Sequence, residues 1–154
     1  MQKHLSPRPL PICVVGFLLT VVSLLSDLPA PAANGITWTP PVLTTMLAPG
    51  ENRRFDVSFT APYELDHAVV DIAPELQPFV QVSPCLLAGI ATGQTVHVTV
   101  TVSVSTRRLP ESVAGAIRLF HELHIGMKGG GIRILRWPVP FANPLLLTIR
   151  AEGI

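Results

Sequence analysis

Eleven consecutive residues, Thr95 to Ser105, place a valine at every second position. Val96, Val98, Val100, Val102 and Val104 fall on one side, and Thr95, His97, Thr99, Thr101, Ser103 and Ser105 on the other. A helix scatters such a pattern around its circumference, whereas a strand sorts it into one apolar and one polar face. β-Branched side chains at this density also lose rotamer freedom in a helix and pack well on a pleated surface. The segment is therefore a strand with one face buried. A valine face that long needs an equally apolar surface opposite it.

The rest of the chain supplies that surface in short pieces. Phe55, Val57 and Phe59 alternate with Arg54, Asp56, Ser58 and Thr60. His67 to Ile72 reads as a strand with Val70 and Ile72 on one face, and Phe79 to Val82 as another. Thr37–Thr39 and Val42–Leu47 read as an N-terminal edge pair or one broken strand, and Leu145 to Arg150 closes the chain. Turns fall between them. Ala48-Pro49-Gly50-Glu51 and Ala88 to Gln94 carry proline or glycine at corner positions. The loop Ala73 to Pro78 has prolines that disfavour a central strand. Strands about every ten residues, without intervening helices, predict an all-β antiparallel sandwich of about seven strands. Pro110 to Met127 fits two periods. Val113, Ile117, Phe120 and His124 have helical spacing, while Ile117, Leu119, Leu123 and Ile125 alternate with Arg118, Glu122 and His124. Gly115 costs a helix interior about 1 kcal/mol, and a strand here offers the valine strand a hairpin partner. Strand is the expectation.

The N-terminus follows another rule. Lys3, His4 and Arg8 precede eighteen residues without charge, Pro9 to Ser26, and Ala30 and Ala32 form an A-x-A pattern. This is the layout of a secretory signal peptide cleaved after Ala32 or Ala33. The rival is an uncleaved anchor, for which eighteen residues is near the lower limit. Domain organisation is then 1–32 signal peptide and 33–154 a single sandwich domain. Residues 33–154 hold nine basic and nine acidic side chains. That balance lacks the positive footprint a nucleic-acid binder needs. Cys85 is the one cysteine of this part, so it forms no internal disulfide, and its surroundings predict a small buried hydrophobe at a strand edge.

Several segments, taken in order, resemble a largely uncharacterised group of bacterial secreted immunoglobulin-like domains. They are Trp38-Thr39-Pro40-Pro41, Ala48-Pro49-Gly50-Glu51, Val57-Ser58-Phe59-Thr60-Ala61, Pro74 to Pro84, Ala91-Thr92-Gly93-Gln94-Thr95, Gly115-Ala116-Ile117 and Pro144-Leu145. The likeness covers residues 36–120, and 143–150 more loosely. It implies an immunoglobulin-like β-sandwich in an exported accessory module, in the periplasm or outside the cell. The chain departs from the pattern between His121 and Phe141, where a longer stretch holds Gly129-Gly130-Gly131 and Trp137-Pro138-Val139-Pro140.

Chemistry is sparse. Lys128 precedes the three glycines and a strand pattern follows them, the reverse of a phosphate loop, so they read as a hairpin tip. His121 and His124 face opposite sides of a strand and share no metal there. Ser83 and Ser112 lack the sharp glycine-flanked turn of a nucleophile, and Glu64 and Asp66 sit in a loop. No catalytic, cofactor-binding or metal-binding residues are expected. The candidate ligand-stacking residues are Trp38, Tyr63 and Trp137, provided that they share one exposed face. The expectation is a non-enzymatic module for adhesion, assembly or scaffolding. Its partner would be a protein or a cell-surface glycan, without nucleic acid and without a stable membrane span once the signal is cleaved. A carbohydrate-binding module and a pilus-chaperone-like periplasmic protein are the alternatives, although one such domain instead of two speaks against the latter.

Overall fold

The computed structural model describes residues 35–105 and 110–152. The signal-peptide reading of residues 1–32 lies outside them. Nine strands occur among the described residues: β1 Val42–Leu47, β2 Asn52–Thr60, β3 Ala68–Ile72, β4 Val80–Ser83, β5 Leu86–Leu87, β6 Thr95–Ser103, β7 Ser112–Gly126, β8 Ile132–Pro138 and β9 Leu145–Ala151. There are two more than expected, because β5 is only two residues long and β8 belongs to the unmatched stretch. One sheet has the order β1-β9-β7-β3-β5, with β8 on β7; the other has the order β2-β6-β4. All pairings are antiparallel except β1 with β9.

The valine strand anchors the smaller sheet. β2 matches β6 along nine rungs, with Phe55 opposite Val100, Val57 opposite Val98 and Phe59 opposite Val96. β4 occupies the other edge, Val82 facing Val100. All five valines of the run are buried. From the larger sheet, Val70, Ile117, Leu119, Leu145, Leu147 and Ile149 complete the core. A double apolar layer of this kind is the expected consequence of two sheets, each with one dry face.

The expectation that β6 and β7 form a hairpin is corrected. β2 and β4 take both edges of β6, and β7 bonds instead to β9, β3 and β8 in the opposite sheet. The segment at 37–39 is not a strand either. Ile36 bridges to Ala142 beside one sheet, and Thr39 bridges to Ser58 in the other. The chain thus enters by stitching the layers together. Gly115 explains itself by packing: a Cβ there would lie 2.9 Å from Cγ of Leu76 and 3.2 Å from Cβ of Ala73. The 73–79 loop closes onto β7 only because that position is bare.

Candidate interaction site

β7 outruns its sheet. Its fifteen residues pair with β9 up to Ile117, with β3 up to His121, and with β8 from Phe120 to Gly126. On the β3 side the last rung is the Glu122 amide donating to the carbonyl of His67, at 3.1 Å. His67 has a positive φ of 54°, and the chain leaves the sheet there. Beyond it, β7 and β8 form a two-stranded arm closed by a turn at Lys128–Gly131. Gly129 and Gly130 have φ values of +121° and +91°, which suit glycine, and the expected hairpin tip is present.

The arm keeps the faces of the sandwich. Odd-numbered residues of β7 point to the core side, so Leu123 and Ile125 continue the line of Ile117 and Leu119. Leu123 lies opposite Leu135, and His121 opposite Trp137. The imidazole and indole are 5.5 Å apart and tilted by 33°. Past the edge of the sandwich the apolar side chains lose their cover: Leu123, Ile125 and Trp137 are exposed on this side, Ile132 and Ile134, opposite Gly126 and His124, on the other, and Met127 beyond the last rung.

The other face carries a polar clamp. Glu122 accepts from Arg136 Nε at 2.7 Å and lies 2.5 Å from His124 Nε2, while Arg136 also reaches Asp71 at 3.6 Å. The hydrogen bonds with His124 and then Arg136 hold the Glu122 carboxyl below the ordinary carboxylate range. His121 and His124 do face opposite sides, as the strand reading requires.

Between the arm and the end of β3 lies a cleft of about 720 Å³. Asp66, His67, Leu86, Cys85, Leu123 and Trp137 are among its walls. Asp66 pairs with His67 at 2.8 Å on this rim. The cleft falls within the usual volume range of ligand sites. Cys85 is exposed, which corrects the buried reading: it precedes the short edge strand β5, and only its carbonyl is tied inward, to the amide of Val70.

Of the three candidate stacking residues, Trp137 is at this cleft, 45% exposed. Trp38 is 1% exposed, edge-on to Phe59 with ring centroids 4.9 Å apart, and presents no face to solvent. Tyr63 belongs to a separate shallow groove with Pro62, Pro140 and Phe141, and its hydroxyl donates to the carbonyl of Pro140 at 2.5 Å. Burial pushes that phenol up from its ordinary pKa. The three rings therefore do not form one exposed platform. The residues that sequence reasoning passed over are Leu135, Ile132 and Ile134, and the exposure of Leu123 and Ile125. The signal present in the sequence was the glycine tip flanked by two apolar alternations.

Among the described residues no group of three or more His, Cys, Asp or Glu side chains is placed to hold a metal ion. No helix among them is long and apolar enough to cross a membrane. No family model matches the chain, and no curated protein matches it. Among solved structures, it is similar to a family 123 glycoside hydrolase from Clostridium perfringens, studied for glycolipid glycan hydrolysis. That similarity has 6% identity and a TM-score of 0.47, covering 74% of this chain and 23% of the hydrolase.

Proposed function

We propose that the protein is an exported, non-enzymatic module with an immunoglobulin-like sandwich, and that it works in adhesion, assembly or scaffolding by docking another protein on the β7–β8 arm. The observation that carries this is the arm itself. A two-stranded ribbon with free edges is marginal in water, and exposed strand edges invite pairing. Clustered exposed apolar side chains on such a ribbon are the usual mark of an interaction surface. The immunoglobulin-like part is supported by the order β9-β7-β3-β5 against β2-β6-β4, which parallels the two-sheet order of that fold. It departs from it where β5 returns to the larger sheet after β4. The export part rests on the residue pattern of positions 1–33.

The glycan alternative retains Trp137 at the cleft as a single stacking ring. Trp137→Ala on a glycan array separates it: loss of a specific glycan signal favours that alternative. For the docking reading, the native state of the chain in its own cells is the measurement. It should migrate in a complex larger than one chain, and Leu123→Ser with Trp137→Ala should return it to monomer size. A complex unaffected by both substitutions overturns the docking reading. Specific turnover of a glycoside, ester or peptide that is lost on replacing one polar residue overturns the non-enzymatic reading.

A further inference from the structure

We infer that the occupant of the open β7 edge is a second copy of this chain, paired arm to arm about a two-fold axis at Ile125. The inference deepens the docking reading and rests on it.

The two edges of the arm differ. The outer edge of β8 is flanked by Arg133 and Arg136, the kind of charged protection that edge strands commonly carry. The open stretch of β7, Leu123 to Gly126, has no Asp, Glu, Lys, Arg or Pro. Because Glu122 sends its amide to His67, alternation along the strand turns the amides and carbonyls of His124 and Gly126 to that same open side. His67 fills the rung opposite Glu122, so an added strand begins at Leu123.

An antiparallel copy of β7 that respects this limit has Ile125 facing its own equivalent. His124 then lies opposite Gly126 of the second copy, and each such pair exchanges two main-chain hydrogen bonds, four in all. Leu123 lies opposite Met127 of the second copy. The core-side face gains an apolar row of Leu123, Ile125 and Met127 from each arm, flanked by Arg133, in which side chains that a single copy leaves in water touch one another across the seam. Isologous contacts require such self-complementarity. Charge supplies the argument for a copy over a foreign strand. The same register brings the turn at Lys128 of the second copy to the cleft mouth beside Asp66, Glu122 there being already held by Arg136, and the two-fold repeats the match. Main-chain pairing with this side-chain alternation is a known mode of strand addition.

The test uses the purified chain alone. Sedimentation equilibrium up to about 1 mM should show a dimer, since a small interface belongs to the weak class. Ile125→Lys, which places two like charges on the axis, should weaken it about tenfold or more. In a Cys13→Ser, Cys85→Ser background, Ile125→Cys should oxidise to a linked dimer. Facing residues of this pair type lie about 4.5 Å apart at Cα, within the disulfide range of about 4.4–6.8 Å. Ile134→Cys, on β8, should not. A strictly monomeric chain, a dimer indifferent to Ile125→Lys, or equal cross-linking at position 134 overturns the inference. If the pure chain is monomeric while its complex in cells still depends on Leu123 and Trp137, the docking reading stands and the second copy is replaced by a foreign strand.

Discussion

Val100 offers the sharpest test of the two-layer core. It is fully buried at the middle of β6, between Phe55 of β2 and Val82 of β4. Val100→Ala removes two methyl groups, about 1.6 kcal/mol of lost transfer energy at about 0.8 kcal/mol per buried carbon. The space they vacate is about 50 Å³ if nothing relaxes, which adds up to about 1.2 kcal/mol at about 24 cal/mol per Å³. Both sheet neighbours are held in nine- and four-residue ladders, so collapse onto the void is restricted. The expected loss is about 1.5–3 kcal/mol. Thr99 points the other way. Its hydroxyl donates to Asp56 Oδ1 at 3.1 Å on the exposed side, and Thr99→Ala should cost less than about 1 kcal/mol. Urea titration of both variants measures this. At a slope near 1.5 kcal/mol per M, the midpoint of Val100→Ala should fall by about 1–2 M with the slope unchanged. Equal losses at the two positions refute the reasoning, for then both faces of β6 are covered. A larger loss at Thr99 reverses the faces.

Other positions give independent outcomes. Gly115→Val should lower the urea midpoint by the equivalent of about 1–3 kcal/mol, because its added carbons meet Leu76 and Ala73; no loss would mean that the 73–79 loop lifts away freely. The depressed Glu122 carboxyl stabilises the folded arm above the ordinary carboxylate range, and that contribution disappears as pH falls through its lowered folded value. Amide exchange or NMR shifts in Leu123–Arg136 should therefore change on acidification in the wild type, and Glu122→Gln should remove the transition; an unchanged transition in the variant assigns it elsewhere. In Cys13→Ser, the exposed Cys85 thiol should be labelled by a water-soluble thiol reagent in the folded protein, whereas labelling only in denaturant would return it to the core.

What the sequence made legible was local and periodic. The valine run, the alternation around Val57 and the Ile117–Leu119 pair each named their buried face correctly, because a pleated strand turns sequence parity directly into orientation. Partner choice was not legible. Nothing in β6 says that β2 and β4 hold both of its edges, so a hairpin with β7 was the natural expectation from neighbourhood in sequence. Leu86–Leu87 is too short to show a period, and no local pattern marks Cys85 as standing exposed before an edge strand. Residue type alone makes Trp38 a stacking candidate, while its packing against Phe59 is a tertiary fact. Leu123 and Ile125 are the instructive case. Their parity names the correct side of the strand, yet parity reports nothing beyond that side. Burial needs a surface opposite, and on the arm none stands there.

The arm therefore has unequal faces. On one, Glu122 gathers His124 and Arg136, and Arg136 extends to Asp71 at the root of the ribbon. On the other, His121 and Trp137 meet across the strands, and beyond them apolar side chains stand in solvent. Cross-strand pairs of this kind each add roughly 0.2–1 kcal/mol, which is small beside what an isolated hairpin lacks. The polar clamp aligns the ribbon, and the uncovered face leaves it short of a core of its own. Any partner that covers Leu123 and Ile125 supplies that missing layer. Docking and ordering of the arm are then one equilibrium, and a substitution that loosens the clamp at Glu122 should weaken association without touching the interface face.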